Sequence, residues 1–188
     1  MAKLYFYHGT MGSSKTANAL ITCHNYEKLG KKVVLCKPKI DIRDGKNKIK
    51  SRIGLERDCI TLEEFLEGVY NQYKYQDTQV VIVDEVQFAK EKQINSLANL
   101  VDYKGIDVLC FGLRTDFQTH LFEGSKRLFE IADCLREIKT VCWCSNKAIL
   151  NARYNNGGLI TEGQQIELGS DDKYISLCRK HYKQRKLS

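Results

Sequence analysis

The sequence contains no long apolar run, no internal repeat and no low-complexity tract. A helix that spans a bilayer needs roughly 18–20 consecutive apolar residues, so an integral membrane protein is not expected. The first residues, "MAKLYFYHG", also lack the long apolar segment of a secretory signal. A composition of 43% hydrophobic and 28% charged residues is typical of a globular protein and excludes a disordered one. We therefore expect a cytoplasmic protein with no membrane partner.

Acidic residues are fewer than basic ones, and the formal net charge is +7 at pH 7. A positive charge permits anionic partners, among them nucleotides, nucleic acid and acidic membrane surfaces. Much of the excess lies in the C-terminal segment "CRKHYKQRK", and runs of charge are usually solvated surface. The charge alone therefore assigns no partner.

The eight cysteines are not expected to form a disulfide framework, because disulfides are rare in the cytoplasm. Five of them stand singly among apolar neighbours and are predicted to be small core residues: Cys23, Cys36, Cys59, Cys110 and Cys134. The other three lie in the last quarter of the chain, two of them as a C-x-C pair and the third in a C-x-x-H pair. Four N/S ligands of this kind suit tetrahedral structural zinc, but C-x-C is tighter than the commoner C-x-x-C, so buried thiols remain an equal alternative.

A length of 188 residues suits one domain, with room for a small appended lobe. Strand-like and helix-like segments alternate over the first two thirds of the chain. Several strands are continuous apolar runs, which are typical of a parallel sheet with both faces buried. The predicted strands span residues 4–8, 32–38, 79–85 and 106–113, the predicted helices 16–29, 61–73, 90–103 and 125–133, and a charged loop residues 39–52.

After about Leu135 the segments become short, β-leaning and punctuated by glycine. We therefore predict an α/β domain over residues 1–137 and a small β-rich lobe over residues 138–188.

The stretch "LYFYHGTMGSSKTANAL" has the strand–loop–helix order of a phosphate-binding loop. Its backbone N–H groups would form an anion cradle at the N-terminus of a helix. Lys15 would reach the β- and γ-phosphates, and the Thr16 hydroxyl would ligate Mg²⁺. The cradle would consist of Gly9, Thr10, Met11, Gly12, Ser13 and Ser14.

Ser14 stands where the usual pattern has its second glycine. A Cβ atom is tolerated there only if the local φ is negative. Because the cradle uses backbone donors, we expect Ser14 to leave it functional. An ordinary strand–helix turn remains the alternative for this motif taken alone.

A second motif, "VVIVDEVQF", ends a predicted buried strand with Asp84 and Glu85. Ligands of open α/β sheets bind at the carboxyl ends of the strands, which would bring these carboxylates beside the phosphate loop. Asp84 would hold Mg²⁺ through its water shell, and Glu85 would accept a proton from an attacking hydroxyl. The two motifs together predict a P-loop, RecA-like sheet covered by helices, whereas a single aspartate could be only a helix cap.

These motifs, with "GLRTDFQTHLFEGSKRL" and "DDKYISLCRKHY", resemble the cytosolic, tetrameric thymidine kinases of bacteria and animals over nearly the whole chain. The resemblance implies transfer of the γ-phosphoryl group of ATP to the 5′-hydroxyl of thymidine or deoxyuridine, with Mg²⁺. It implies that Glu85 is the general base, that the enzyme is a homotetramer, and that dTTP inhibits it by feedback.

The resemblance also assigns residues of "KIDIRDG", which alone would be an ordinary turn. Asp41 would lie near the metal and phosphates, and the charge of Arg43 would stabilise the transferred phosphoryl group. Gln87 of the "DE-x-Q-F" motif joins the ATP- and Mg²⁺-binding set.

For the nucleoside, the resemblance implies that Phe117 stacks on the base and that Leu113 and Phe122 line the same pocket. Without it, Phe117 would be interpreted as a core aromatic. A thymidine loop would read the base edge through backbone groups, and Tyr174 would close over the substrate. Such pairing discriminates against bases that lack the matching groups. The loop consists of Gln165, Ile166, Glu167, Leu168 and Gly169.

The resemblance favours zinc over buried thiols in the C-terminal lobe. The ligands would be Cys142, Cys144, Cys178 and His181, and the metal would be structural because a full ligand set leaves no open position.

A nucleic-acid-stimulated ATPase with a zinc lobe is the main alternative, since the sequence pI is about 8.9. Helicase-like ATPases generally need two such domains, however, so we expect no nucleic-acid partner. A nucleoside monophosphate kinase with a zinc lid would carry its cysteines mid-chain. A structural zinc module with an inactive loop would leave Glu85 unexplained.

Overall fold

The computed structural model describes residues 1–155, 158–166 and 174–188. The helices are α1 (Lys15–Lys28), α2 (Leu62–Asn71), α3 (Glu91–Lys104), α4 (Glu123–Ile131) and α5 (Arg179–Lys183). The strands are β1 (Leu4–Gly9), β2 (Val33–Lys37), β3 (Lys48–Lys50), β4 (Glu56–Asp58), β5 (Ile60–Thr61), β6 (Val80–Val83), β7 (Asp107–Leu113), β8 (Cys134–Glu137), β9 (Thr140–Val141), β10 (Lys147–Ala148), β11 (Leu150–Asn155), β12 (Gly158–Ile160) and β13 (Tyr174–Leu177). Among these residues, no helix has both the length and the apolar character needed to cross a bilayer.

The centre of the molecule is a six-stranded sheet in the order β5-β2-β6-β7-β1-β8, and every pairing within it is parallel. Strand β6 shows why its sequence is uniformly apolar. Val81 and Val83 pack into the core beneath α2, α3 and α4, whereas Val80 and Ile82 pack into the core beneath α1. Successive strand residues point to opposite faces, so a strand buried on both faces needs apolar residues throughout. The predicted α/β fold class is confirmed.

The predicted helices are present, with ends shifted by one or two residues. The predicted N-cap of α2 is also observed, because the Thr61 hydroxyl accepts a hydrogen bond from the Glu64 N–H at 3.1 Å. Of the five predicted core cysteines, Cys134 differs from the others: it is only half-buried, on the edge strand β8.

Four strands of the predicted α/β domain were not expected from the sequence: β3, β4, β5 and β8. The charged segment 39–52 was predicted to be a loop, but its end forms β3, which pairs with β4 as an antiparallel hairpin. Only Ile49 of this hairpin is a buried hydrophobic residue, so its pattern carries little apolar signal. Strand β8 was not predicted. It lies at the sheet edge and its second half is charged, Arg136 and Glu137, so it lacks the continuous apolar run typical of a parallel strand.

The C-terminal part is β-rich, as predicted. Strands β9 and β10 form a two-stranded sheet, and β11 lies between β12 and β13 in an antiparallel three-stranded sheet. A small apolar core that includes Ala152 and Leu177 holds this part together. The boundary between residues 137 and 138 stays a prediction.

Candidate active site

A cavity of about 560 Å³ opens where the strands of the parallel sheet end. Most of the predicted site residues line it: Met11, Gly12, Ser14, Lys15, Thr16, Asp41, Arg43, Asp84, Glu85, Gln87, Leu113, Phe117, Phe122, Gln165, Ile166 and Tyr174. Gly9, Thr10 and Ser13 are buried within the phosphate loop. Glu167, Leu168 and Gly169 of the predicted thymidine loop lie outside the described residues. The structure therefore brings predicted nucleotide-binding residues and predicted nucleoside-binding residues into one cavity.

The phosphate loop connects β1 to α1 and bends through two residues with left-handed backbone geometry. Gly12 has a φ of 72°, which glycine adopts without steric cost. Ser14 has a φ of 62° and a ψ of 27°. The negative φ required by the sequence argument is therefore absent, and Ser14 is strained instead. Its side chain makes no capping hydrogen bond to the helix that would compensate.

Replacing Ser14 with glycine should raise the thermal midpoint by about 2–4 °C, because relief of this strain is worth roughly 1 kcal/mol in a chain of this size. The greater entropy of glycine in the unfolded chain will offset part of the gain. Thermal unfolding of the purified variant measures the shift.

Ser14→Ala is the matched control, because it removes the hydroxyl but keeps the Cβ atom. We expect it to leave the midpoint within about 1 °C of the wild type. A gain in Ser14→Ala equal to that in Ser14→Gly would contradict backbone strain as the cause.

Lys15 is buried within the loop and turned back on it. Its Nζ donates to the Thr10 carbonyl at 2.6 Å and to the Ser13 Oγ at 3.3 Å. Burial lowers the pKa of Lys15 to about 8, although the nearby carboxylates of Glu85 and Asp84 raise it. Both hydrogen-bond acceptors are uncharged, and a polyphosphate would supply an anionic acceptor for this ammonium group.

Asp84 is 2% exposed and lies at the end of β6. Burial and the negative charge of Glu85 raise its pKa to about 7, although hydrogen bonding by Thr16 and the Glu85 N–H lowers it. One carboxylate oxygen, Oδ1, is buried without a hydrogen-bond partner among the described residues. A carboxylate oxygen beside a threonine hydroxyl is a donor set that suits Mg²⁺, so these residues fit the expected metal.

Glu85 is held on both carboxylate oxygens. Its Oε1 pairs with Arg43 Nη2 at 2.8 Å, and its Oε2 accepts from Gln87 Nε2 at 2.5 Å. Its backbone is left-handed, with a φ of 52°, which is costly for a residue with a Cβ atom. Such strained residues cluster at functional sites.

Arg43 bridges Glu85 to Asp41, whose Oδ1 lies 2.8 Å from Arg43 Nε. Burial would raise the pKa of Asp41, but the hydrogen bonds and charge of Arg43 hold it below its usual value. The charge of Glu85 is the main reason that the pKa of Arg43 is raised. A second cation, Lys37, lies 3.6 Å from Asp41 Oδ2, so Asp41 and Lys37 form the buried end of a charge network that reaches the cavity through Arg43.

Gln87 connects Glu85 to the sheet, because its Oε1 accepts the Leu113 N–H at 2.9 Å. The close approach depends on Gly112, where an added Cβ would lie 2.7 Å from Gln87 Oε1. The sequence analysis placed Gln87 in the ATP- and Mg²⁺-binding set, and that role stays a prediction; in the structure its side chain contacts the Glu85 carboxylate.

The opposite part of the cavity is lined by aromatic rings. Phe117 is 1% exposed and faces the guanidinium of Arg153 at 5.2 Å from its ring centroid. Phe122 meets Phe88 edge-on at 6.0 Å between centroids. Phe117 is thus both buried and part of the cavity wall. The site and core interpretations of this residue are compatible.

Asp116 was missed by sequence reasoning. Its Oδ1 accepts the N–H groups of Gln118 and His120 at 2.8 and 2.9 Å, and its Oδ2 accepts from Gln165 Nε2 at 2.8 Å. It therefore fixes the turn after Phe117 and joins it to the start of the predicted thymidine loop. An aspartate three residues beyond the end of a continuous apolar strand was the available signal.

The hairpin β3–β4 was also missed, and its turn lines the cavity with Ser51, Arg52 and Ile53. Arg52 reaches the phosphate loop: a Cβ on Gly12 would lie 3.8 Å from its Nη1. Its charge is one of the causes that lower the pKa of Lys15. The hairpin thus adds a cation to the polyphosphate side of the cavity.

A second cluster, away from the cavity, contains Cys142, Cys144, Cys178 and His181, whose ligand atoms all lie within 4.8 Å of one another. His181 Nδ1 is 3.4 Å from Cys142 Sγ and 3.5 Å from Cys178 Sγ, and the sulfurs of Cys144 and Cys178 are 3.9 Å apart. Zn–S bonds of about 2.3 Å in a tetrahedron put sulfur atoms roughly 3.8 Å apart. The four predicted ligands fit a zinc ion.

The chain is similar to proteins of one family over almost its whole length. The family model described as thymidine kinase matches residues 2–182. Curated proteins named thymidine kinase are similar to 97% of this chain: that of Streptococcus agalactiae serotype Ia is 44% identical over 97% of its own length, and that of Streptococcus gordonii is 41% identical over 96%. Among solved structures, AMPPCP-bound DnaA from Aquifex aeolicus superposes with a TM-score of 0.47 at 20% identity, over 73% of this chain and 40% of that one.

The family match over residues 2–182 covers both the cavity and the cysteine cluster. The chain therefore belongs to the thymidine kinase family and is an ATP-dependent nucleoside kinase.

Proposed function

We propose that this protein transfers the γ-phosphoryl group of ATP to the 5′-hydroxyl of thymidine, and of deoxyuridine, to give the nucleoside monophosphate and ADP. The observation that carries the proposal is the position of Glu85. Its carboxylate lines one cavity together with the phosphate-loop lysine Lys15 and the buried aromatic Phe117. A phosphoryl donor bound at Lys15 and a nucleoside bound at Phe117 would meet beside the Glu85 carboxylate, which would act as the general base.

In this mechanism the phosphate loop binds the polyphosphate through its N–H groups, and Lys15 neutralises the β- and γ-phosphates. Glu85 accepts the 5′-hydroxyl proton as the oxygen bonds to the γ-phosphorus and the bond to ADP breaks. Arg43, 2.8 Å from Glu85, lies where its charge would stabilise the transferred group. Phe117, Leu113 and Phe122 bind the base, and Tyr174 with the loop 165–169 closes the nucleoside site.

Thr16 and Asp84 would hold Mg²⁺, which when bound neutralises charge on the phosphates and orients them. Asp41 would support this part of the site through Arg43. Cys142, Cys144, Cys178 and His181 would hold structural zinc. We further propose a cytoplasmic homotetramer inhibited by dTTP, built from a nucleotide-binding domain, 1–137, and a zinc lobe, 138–188.

The proposal predicts ATP- and Mg²⁺-dependent conversion of thymidine to its monophosphate by the purified protein. Product formation, followed by chromatography, should require each component and should not change when single-stranded DNA is added. Phosphorylation of thymidine monophosphate in place of thymidine would contradict the assignment of the acceptor. ATP hydrolysis that rises with DNA, without nucleoside turnover, would favour the nucleic-acid-stimulated ATPase.

A further inference from the structure

The main chain of Met11, in the middle of the phosphate loop, is held from the C-terminal sheet. Its N–H donates to Asn151 Oδ1 at 2.8 Å, and its carbonyl accepts from Ser176 Oγ at 2.5 Å. Asn151 lies on β11 and Ser176 on β13, and the two residues are direct partners across these antiparallel strands. Adjacent side chains of one sheet thus hold both main-chain polar groups of a single loop residue.

Asn151 makes a second contact that extends this connection. Its Nδ2 donates to the Thr115 carbonyl at 3.0 Å, and the side chain is almost fully buried. Thr115 lies just beyond β7, two residues before Phe117. One amide therefore fixes the phosphate loop relative to the segment that carries the base-stacking residue. A buried amide with both groups bonded has little freedom to reorient.

Ser176 lies on the same strand as a residue of the cavity wall. Tyr174, two residues earlier on β13, lines the cavity, and residues two apart on a strand share a face. Strand β13 therefore begins at the proposed substrate-closing residue, Tyr174, and contacts the phosphate loop two residues further on, through Ser176.

A phosphate cradle works only if its N–H groups point at the anion, and displacements of about 1 Å are costly in such sites. The loop is short, and it contains the strained Ser14 three residues after Met11. External contacts are therefore needed to keep it in one conformation.

We propose that Asn151 and Ser176 are positioning residues that hold the phosphate loop in its polyphosphate-binding conformation. The C-terminal sheet is then part of the nucleotide site. This inference rests on the proposed function, because it assigns a role in the binding of ATP.

Ser176→Ala tests the contact, and Ser176→Thr, which keeps a hydroxyl, is its matched control. The affinity for the non-hydrolysable analogue AMPPNP is measured by calorimetry in the presence of Mg²⁺. Loss of one hydrogen bond that orients the loop should raise the Kd of Ser176→Ala roughly three- to tenfold. Ser176→Thr should stay within about twofold of the wild type. The KM for thymidine should change less than the KM for ATP, a split that a general loss of folding would not produce.

Asn151→Ser shortens the side chain and removes the hydrogen bond that the Met11 N–H donates to Asn151 Oδ1. It should weaken AMPPNP binding at least as much as Ser176→Ala does. It keeps the inference testable if Ser176→Ala does not fold. Folded variants that bind AMPPNP within twofold of the wild type would overturn the proposal. Because the analogue needs no acceptor, this failure is distinct from failure of the proposed function, in which the wild type would bind AMPPNP but not phosphorylate thymidine.

Discussion

Glu85→Gln should lower kcat for thymidine phosphorylation by roughly 10²–10⁴-fold, the usual contribution of a general base. Glutamine has the same shape and can still accept the Gln87 hydrogen bond, but it cannot take the 5′-hydroxyl proton. The ion pair with Arg43 is lost, whereas Arg43 keeps its contact with Asp41 at 2.8 Å. The phosphate loop is untouched, so the Kd for AMPPNP should stay within about threefold of the wild type. Steady-state kinetics and calorimetry measure the two quantities.

Glu130→Gln is the matched control, since Glu130 is a solvent-facing carboxylate that also pairs with an arginine, Arg127, at 3.0 Å. It should leave kcat and the AMPPNP Kd within twofold of the wild type, because exposed ion pairs contribute little. A Glu85→Gln enzyme with kcat within tenfold of the wild type would exclude Glu85 as the base. A large rise in the AMPPNP Kd with unchanged kcat would instead assign Glu85 to nucleotide binding.

The sequence predicted those parts of the fold and site whose signals are local. The buried strand β6 has four apolar residues in a row, and the phosphate loop has a fixed order of strand, glycine, lysine and helix. Asp84 and Glu85 follow such a strand directly. Their proximity to Lys15 could then be inferred because parallel strands end at one edge of the sheet.

The remaining features depend on contacts distant in sequence. Asn151 is an ordinary polar residue in its strand, and its function becomes visible only when Met11, 140 positions away, donates to it. The hairpin that carries Arg52 buries little apolar surface, so no periodicity marks it. The backbone of Ser14 could not be inferred either, because the tertiary structure forces a left-handed conformation that the residue type disfavours.

Cys144→Ser should remove most of the bound zinc and lower the free energy of unfolding by at least about 3 kcal/mol, because metal binding is part of the folding free energy of such sites. In a chain of this size this corresponds to a fall of roughly 6–12 °C in the thermal midpoint. Among the described residues, the apolar core of this lobe has five buried members, and two of them, Cys142 and Cys178, are proposed zinc ligands, so little else would compensate. Elemental analysis gives the zinc content per chain, and thermal unfolding gives the midpoint.

Cys134→Ser is the matched control, because Cys134 is half-buried and lies outside the cluster. It should keep the wild-type zinc content and shift the midpoint far less. Cys178 follows β13 directly, and Ser176 of that strand holds Met11, so zinc loss should also weaken AMPPNP binding. A Cys144→Ser protein with unchanged zinc content would contradict the ligand assignment. Zinc loss without a lower midpoint would show that the lobe folds without the metal, and the cluster would then be a site that binds zinc but does not stabilise the enzyme.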